Sequence, residues 1–140
     1  MFFFIEPEVA GGLGDGTVMD TGSHPPIVSR LDYKFEGWLG DEILESFPCF
    51  IITKSLGQKH SSKILSGFRL APVQISKSEV FFNIHGHQEL PEFVWFQVTG
   101  DAGADDFGIA EDHRMVVSEN ALAVLRTAQM NHADFEHFSE

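Results

Sequence analysis

The sequence predicts a single domain of the α+β class, with a mixed but mostly antiparallel sheet and two or three helices. The 140 residues are the length of one domain, and 43% of them are apolar, which is enough to build a core. Short apolar segments typical of strands occur throughout the chain. In two places such a segment is followed by a hydroxyl residue and a helical pattern. We therefore expect one folded unit over residues 1–140.

The first third of the chain predicts three strands, a glycine-rich loop and a short helix. Phe2–Ile5 and Cys49–Ile52 are apolar runs of strand length, and residues 33–38 alternate apolar and polar side chains. Residues 11–22 are rich in Gly and Asp and predict a loop. Asp41–Phe47 begins with a capping residue and is followed by a proline, so we expect one or two helical turns there.

The middle of the chain predicts a helix and several strands. Thr53 is a candidate N-cap, and Gly67 is a natural end for the helix that it would start. We expect a returning strand over residues 68–75, another over Glu79–Ile84, and a turn at the two histidines that follow. Phe93–Val98 is apolar on both faces, which predicts a strand in the centre of a sheet.

The last third predicts an acidic loop, a strand and the clearest helix. Residues 101–108 combine Asp and Gly and are expected to form a loop. Met115–Val117 is a short apolar strand, and Ser118 is a candidate cap for a helix over Glu119–Met130. Residues 135–138 are expected to be extended.

Two segments of the chain share one plan at an offset of 65 residues. Ile51-Ile52-Thr53 aligns with Val116-Val117-Ser118, and Leu70 aligns with Phe135. Each segment predicts a strand, a hydroxyl cap, a helix and a returning strand. Because this succession is common, the sequence leaves two interpretations open, namely an internal duplication and a chance similarity.

The net charge is strongly negative and unevenly spread. The 21 acidic and 9 basic side chains give a formal charge of −12. Residues 1–50 carry 9 acids and 2 bases (−7), residues 51–100 carry 3 and 5 (+2), and residues 101–140 carry 9 and 2 (−7). An acidic surface repels phosphate backbones, so the charge argues against a nucleic-acid partner and favours a basic one.

Cysteine content and hydropathy predict a cytoplasmic protein. A single cysteine, Cys49, excludes an internal disulfide and a cysteine-based zinc site. The apolar run Met1–Ile5 is too short for a signal peptide or a membrane span. We therefore expect no membrane association.

Three histidines offer an alternative function. His85 and His87 would lie on one face of a strand and could bind a metal together with His113. The glycine between the first two favours a turn instead, and no spacing fixes a third ligand. A small metal-binding protein or enzyme that uses these three histidines is the alternative interpretation.

The other motifs lack a feature that their chemistry needs. Residues 11–16 have neither the G-x-G-x-x-G fingerprint nor the lysine of a P-loop. The loop over residues 101–108 lacks the EF-hand order of ligands. Cys49 lies in an apolar setting, which predicts a buried thiol. We therefore predict no catalytic residues, no bound metal and no cofactor.

One stretch of the chain resembles a known family. Asp105-Asp106-Phe107-Gly108-Ile109, then Arg114 to Leu125 with its Val-Val-Ser-Glu-x-Ala-Leu-x-x-Leu pattern, then His132 to Phe135, resemble the carboxy-terminal part of small bacterial immunity proteins. Gly37 to Asp41 and Leu90 to Trp95 are similar to motifs of that family. The resemblance implies a protein that binds and blocks a cognate toxin of a contact-dependent or type VI secretion system.

The predicted partner surface combines the acidic loop with a second segment near one tryptophan. Charge complementarity with a basic toxin would speed the encounter, and a few aromatic side chains would supply most of the affinity. The predicted partner-binding residues are Trp38, Asp41, Glu42, Glu45, Asp101, Asp105, Asp106, Glu111 and Asp112.

Overall fold

The computed structural model describes residues 1–139 and has the predicted α+β architecture. Its strands are β1 (Phe2–Glu6), β2 (Gly11–Leu13), β3 (Val18–Asp20), β4 (Ile27–Arg30), β5 (Asp32–Phe35), β6 (Ile43–Ser46), β7 (Cys49–Thr53), β8 (Phe68–Ala71), β9 (Gln74–Lys77), β10 (Phe93–Val98), β11 (Phe107–Ile109), β12 (Met115–Ser118) and β13 (Asp134–His137). Its helices are α1 (Lys54–Ser62), α2 (Glu79–His85) and α3 (Glu119–Leu125). Within residues 1–139, no helix has the length and apolar character needed to cross a membrane.

The strands form four sheets. Two sheets have four strands each, in the orders β11-β12-β1-β13 and β6-β7-β10-β8. A third sheet has the order β2-β5-β9, and β3 and β4 form a two-stranded ribbon. The strands pair antiparallel except for β5 and β9, which run parallel. The prediction of a mixed, mostly antiparallel arrangement is therefore confirmed, and so is the central position of β10.

The two four-stranded sheets repeat the same topology and register, which supports the internal duplication. In the first module (β6, β7, α1, β8) and in the second (β11, β12, α3, β13), a hairpin leads into a helix and a returning strand. Trp95 of the central strand pairs with Ile51 and Ala71, and Phe4 pairs with Val116 and Glu136. The equivalent partners are 65 residues apart on both sides, since 116 − 51 and 136 − 71 both equal 65.

Each module takes its central strand from outside its own segment. β1 precedes the first module in the chain, but it pairs with β12 and β13 of the second. β10 precedes the second module and pairs with β7 and β8 of the first. The modules thus exchange central strands, so neither sheet is complete without chain from beyond its own module.

Each module fixes the start of its helix by the same three-part contact. Thr53 and Ser118 are the N-caps of α1 and α3, and their side chains accept from Leu56 N–H and Ala121 N–H. The Thr53 hydroxyl donates to the carboxylate of Glu42 at 2.9 Å, and its backbone N–H donates to the Glu42 carbonyl. Ser118 makes the same two bonds to Asp106.

The same two carboxylates also join the modules. Glu42 lies just before β6 of the first module. Its carboxylate accepts the backbone N–H of Gln129, a residue that follows α3, at 2.8 Å. Asp106 lies just before β11 of the second module. Its carboxylate accepts the backbone N–H of Ser66, a residue that follows α1, at 2.9 Å. The links are reciprocal, so each acidic residue holds its own helix cap and the end of the other module's helical segment.

Two apolar clusters lie on opposite faces of the β6-β7-β10-β8 sheet. Along β7, Phe50 and Ile52 belong to a cluster that also includes residues of α1, α3, β1 and β12. Ile51 belongs to a second cluster with β5, α2 and Trp95. Because both faces are covered, all residues of β7 are buried, as the period-2 alternation of a strand requires.

Two predicted elements have the wrong type. Asp41–Phe47 was expected to be helical but contains β6, in which Ile43 and the following Leu44 are both fully buried in different clusters. Glu79–Ile84 was expected to be a strand but forms α2, because the Ser78 side chain caps it and accepts the Phe81 N–H at 3.1 Å.

Other boundaries differ from the prediction. Residues 11–22 contain β2 and β3 rather than a continuous loop. Gly14 sits so close to the Asp32 carboxylate that an added Cβ would clash with Oδ2 of that side chain. Glycine is therefore required there for close approach. α3 ends at Leu125 instead of Met130, and the acidic loop ends in β11.

One polar side chain in the core lacks hydrogen-bond partners within residues 1–139. His60 of α1 is fully buried, and neither of its ring nitrogens has a partner. Its ring lies 5.1 to 5.9 Å from those of Phe68, Phe96 and Phe107. Burial lowers the pKa of His60 to about 4, because a protonated imidazole among these aromatic rings would not be solvated.

We expect His60 to make the protein less stable as the pH falls. The folded state keeps the ring neutral, whereas the unfolded chain takes up a proton below about pH 6.5, so stability is lost between about pH 6.5 and pH 4. The loss is about 3 kcal/mol by pH 4. His60→Leu should remove this part of the pH dependence in urea unfolding. Exposed His87→Gln is the control, and an unchanged pH profile in His60→Leu would contradict the assignment.

Candidate functional site

A groove with an apolar floor and an acidic rim lies beside the β11-β12-β1-β13 sheet. Its volume is about 680 Å³. Phe3 and Ile5 of β1 pack on the core, so the alternate residue Phe4 points outward into the groove. Ile109 of β11 and Phe138, which follows β13, complete the floor. The groove is thus built by strands from both ends of the chain.

Three predicted partner-binding residues form the rim of this groove. Asp101 lies in the loop after β10, and Glu111 and Asp112 lie in the loop between β11 and β12. All three are exposed. Among residues 1–139, the carboxylates of Asp101 and Glu111 make no hydrogen bond or ion pair. Two unpaired negative charges therefore face solvent beside an apolar floor.

Asp112 is held by a neighbouring arginine. Its two oxygens accept from the backbone N–H of Arg114 at 3.2 Å and from Nε at 2.7 Å. These hydrogen bonds hold the pKa of Asp112 below its usual value. Arg114 also pairs with Glu136 and lies over the ring of Phe4. The side chain of Asp112 is thus fixed in position, with one half of its surface still accessible.

The other two acids of the loop are used by the fold. Asp105 accepts the backbone N–H of Asp101 at 2.8 Å, which closes the loop on itself. Asp106 accepts from Ser66 and Ser118, as described above. Both side chains are half-buried. Their first role is therefore to shape the loop that presents Asp101.

Asp41 does not lie on the surface. It is fully buried and accepts the His132 N–H at 2.8 Å and the ring Nδ1 at 3.0 Å. Glu8 is also buried and accepts backbone N–H groups of Leu39 and Asp41. In residues 1–139, Glu8, Asp41 and His132 form one group whose ligand atoms lie within 4.8 Å of each other. Their oxygens are already engaged by these bonds, which anchor the end of the second module.

The remaining residues of the predicted set lie near this group of Glu8, Asp41 and His132 and not at the groove. Trp38 is half-buried, donates from Nε1 to the Asp41 carbonyl at 2.9 Å and packs edge-on against Phe93. Glu42 holds the Thr53 cap. Glu45 is half-buried, and none of the three lines the groove. The predicted set therefore divides into a groove group and a structural group.

The three histidines of the alternative function do not converge. His85 ends α2 and packs on Phe81 at 4.8 Å, and His87 packs on Phe82 at 5.9 Å. His113 lies in the loop between β11 and β12, where its ring contacts His24 at 5.5 Å.

The single cysteine is buried, as predicted. Burial raises the pKa of the Cys49 thiol to about 12.

Sequence reasoning missed the apolar part of the groove. Phe4 was expected only as a core strand residue and Phe138 only as part of an extended segment. Their meeting depends on the pairing of β1 with β13, which brings the two rings to 5.1 Å. The alternation of Phe3, Phe4 and Ile5 would have placed one ring outside the core, but not beside Phe138.

The chain was compared with models of protein families, with curated proteins and with solved structures, and none of the three comparisons gives a match.

Replacing Asp106 should destabilise the fold itself. Asp106→Ala removes the acceptor for Ser66 and Ser118, so we expect a loss of about 2 kcal/mol in the free energy of unfolding, measured with urea. Glu111→Ala, a matched loss of one exposed charge, should change stability by less than about 0.5 kcal/mol. Equal effects of the two substitutions would show that Asp106 has no such structural role.

Glu45 should lower stability as the pH rises. Burial, with a further contribution from the charge of Glu6, raises the pKa of Glu45 to about 7. The folded state favours the protonated carboxyl, so stability is present below about pH 4.5 and is lost up to about pH 7. Allowing for partial solvent screening, Glu45→Gln should stabilise the protein by about 1 kcal/mol at pH 8 and not at pH 4. Exposed Glu36→Gln is the control, and an equal gain at both pH values would contradict the assignment.

Proposed function

We propose that this protein is an immunity protein that neutralises a basic bacterial toxin by stoichiometric binding at the acid-rimmed groove. The observation that carries the proposal is the groove itself, in which Asp101, Glu111 and Asp112 surround the apolar floor of Phe4 and Phe138. An apolar centre with a polar rim is the usual anatomy of a protein interface. The toxin would belong to a contact-dependent or type VI secretion system.

The sequence resemblance to immunity proteins supports this function from a separate direction. The resembling stretch runs through β11, β12 and α3, which supply one wall of the groove and the helix behind it. Immunity proteins protect the cell that produces the toxin, so the proposed site of action is the cytoplasm.

The charge distribution supports a basic partner. The formal charge of −12 includes carboxylates that the fold uses internally, among them Asp41 and Asp106. The groove carboxylates Asp101 and Glu111 are not used in this way within residues 1–139. Complementary charge mainly raises the association rate, and the aromatic floor would slow dissociation. The two parts of the groove thus supply different parts of the affinity.

The proposal is tested by co-expression with the product of the gene immediately upstream, which the proposal predicts to be the toxin. The wild-type protein should restore growth and form a 1:1 complex on gel filtration. The double substitution Asp101→Asn with Glu111→Gln should lower the association rate about tenfold at low salt, because it removes two charges that attract the partner. The measurement is surface plasmon resonance over a range of salt concentrations.

A matched control removes two charges elsewhere. Glu79→Gln with Glu89→Gln makes the same change in net charge at exposed positions near α2, outside the groove. It should leave the association rate within about twofold of the wild type. Equal effects of both double substitutions would show that only net charge matters, and unrestored growth with no complex would refute the proposed function.

A further inference from the structure

The groove contains the two elements that recognise a planar cation. Its floor is aromatic, and its rim carries unpaired carboxylates on two separate loops. We propose that the groove binds the guanidinium of an arginine side chain of the basic partner, in preference to the ammonium of a lysine. This inference rests on the proposed function for the existence of such a partner.

The protein already holds one of its own arginines in this way. The guanidinium carbon of Arg114 lies 3.6 Å from the centre of the Phe4 ring. Its Nε donates to Asp112 at 2.7 Å, and its Nη1 donates to Glu136 at 3.1 Å. A flat cation over an aromatic face, with carboxylates at its edge, is the geometry in which arginine binds strongly.

Arg114 already occupies the ring of Phe4, but Phe138, Asp101 and Glu111 hold no cation among residues 1–139. Phe4 lines the groove, and Phe138 meets it edge-on with 5.1 Å between ring centres. The carboxylates of Asp101 and Glu111 stand on different loops that both border the groove, and a guanidinium has enough N–H donors for two carboxylates. At about 680 Å³ the groove has room for one extended side chain and its flanking backbone.

The two basic side chains would be distinguished by the shape of their charged groups. Guanidinium is planar, weakly hydrated and carries five N–H donors, so it can stack on Phe138 and bond to two carboxylates together. Ammonium is compact and strongly hydrated, and it would gain only the attraction of the rim. The aromatic floor therefore sets the preference, and the rim sets the charge requirement.

The experiment compares two probes on the intact protein. The peptides acetyl-Gly-Arg-Arg-Gly-amide and acetyl-Gly-Lys-Lys-Gly-amide have equal charge, and their dissociation constants are measured by NMR titration at low salt. We expect the arginine peptide to bind about fivefold more tightly. Asp101→Asn with Glu111→Gln should weaken both peptides, whereas Glu79→Gln with Glu89→Gln should weaken neither.

A second variant isolates the aromatic contribution. Phe138→Leu keeps every charge and alters a half-buried side chain that belongs to neither core cluster, so we expect the fold to be retained. It should reduce the preference for arginine to below about twofold while the lysine peptide binds as before.

Two results would overturn the inference. One is equal affinity for the two peptides in the wild-type protein, and the other is an arginine preference that persists in Phe138→Leu. If either occurs while the wild-type protein still neutralises the toxin, the arginine preference is wrong and the proposed function stands. If the arginine preference is found but the toxin is not neutralised, the groove binds arginine and the proposed function is wrong.

Discussion

The exchange of central strands between the two modules is the constraint on which the rest of the structure depends. β1 completes the sheet of the second module and β10 completes that of the first, so each core face needs chain from both halves. The carboxylates of Glu42 and Asp106 then fix the relative position of the modules, because each binds a helix cap in one module and a backbone N–H in the other. The groove follows from this arrangement, since Phe4 reaches Ile109 and Phe138 only through the exchange.

The acidic residues of this protein have two different roles. Asp32, Asp41 and Asp106 are held inside hydrogen-bond networks, where each carboxylate accepts a backbone N–H, from Gly16, His132 and Ser66 respectively. Asp101 and Glu111 are exposed beside an apolar surface. A net charge of −12 does not separate these roles, because the number of charges does not show which carboxylates accept a hydrogen bond.

The sequence predicted the fold class and much of the strand pattern, and it offered the internal duplication as one of two interpretations, because these depend on local periodicity and on hydroxyl caps at Thr53 and Ser118. It failed at β6 and α2, where the decisive information is non-local. Ile43 and Leu44 are adjacent and both buried, which only two clusters on opposite sides of a strand allow. The apolar run of α2 satisfied a strand pattern as well as a helical one. Three of the nine predicted partner-binding residues lie together at the groove. The acidic residues were predicted from their charge, because the sequence does not show which carboxylates find a hydrogen-bond partner in the fold.

The strand exchange also has a consequence for synthesis on the ribosome. β1 is made before its partners β12 and β13, which emerge only after more than a hundred further residues. Until then its Phe-Phe-Phe-Ile run has no sheet to enter, and a free apolar strand is a template for association with other chains. The run therefore stays unpaired in the nascent chain until β12 and β13 have been synthesised.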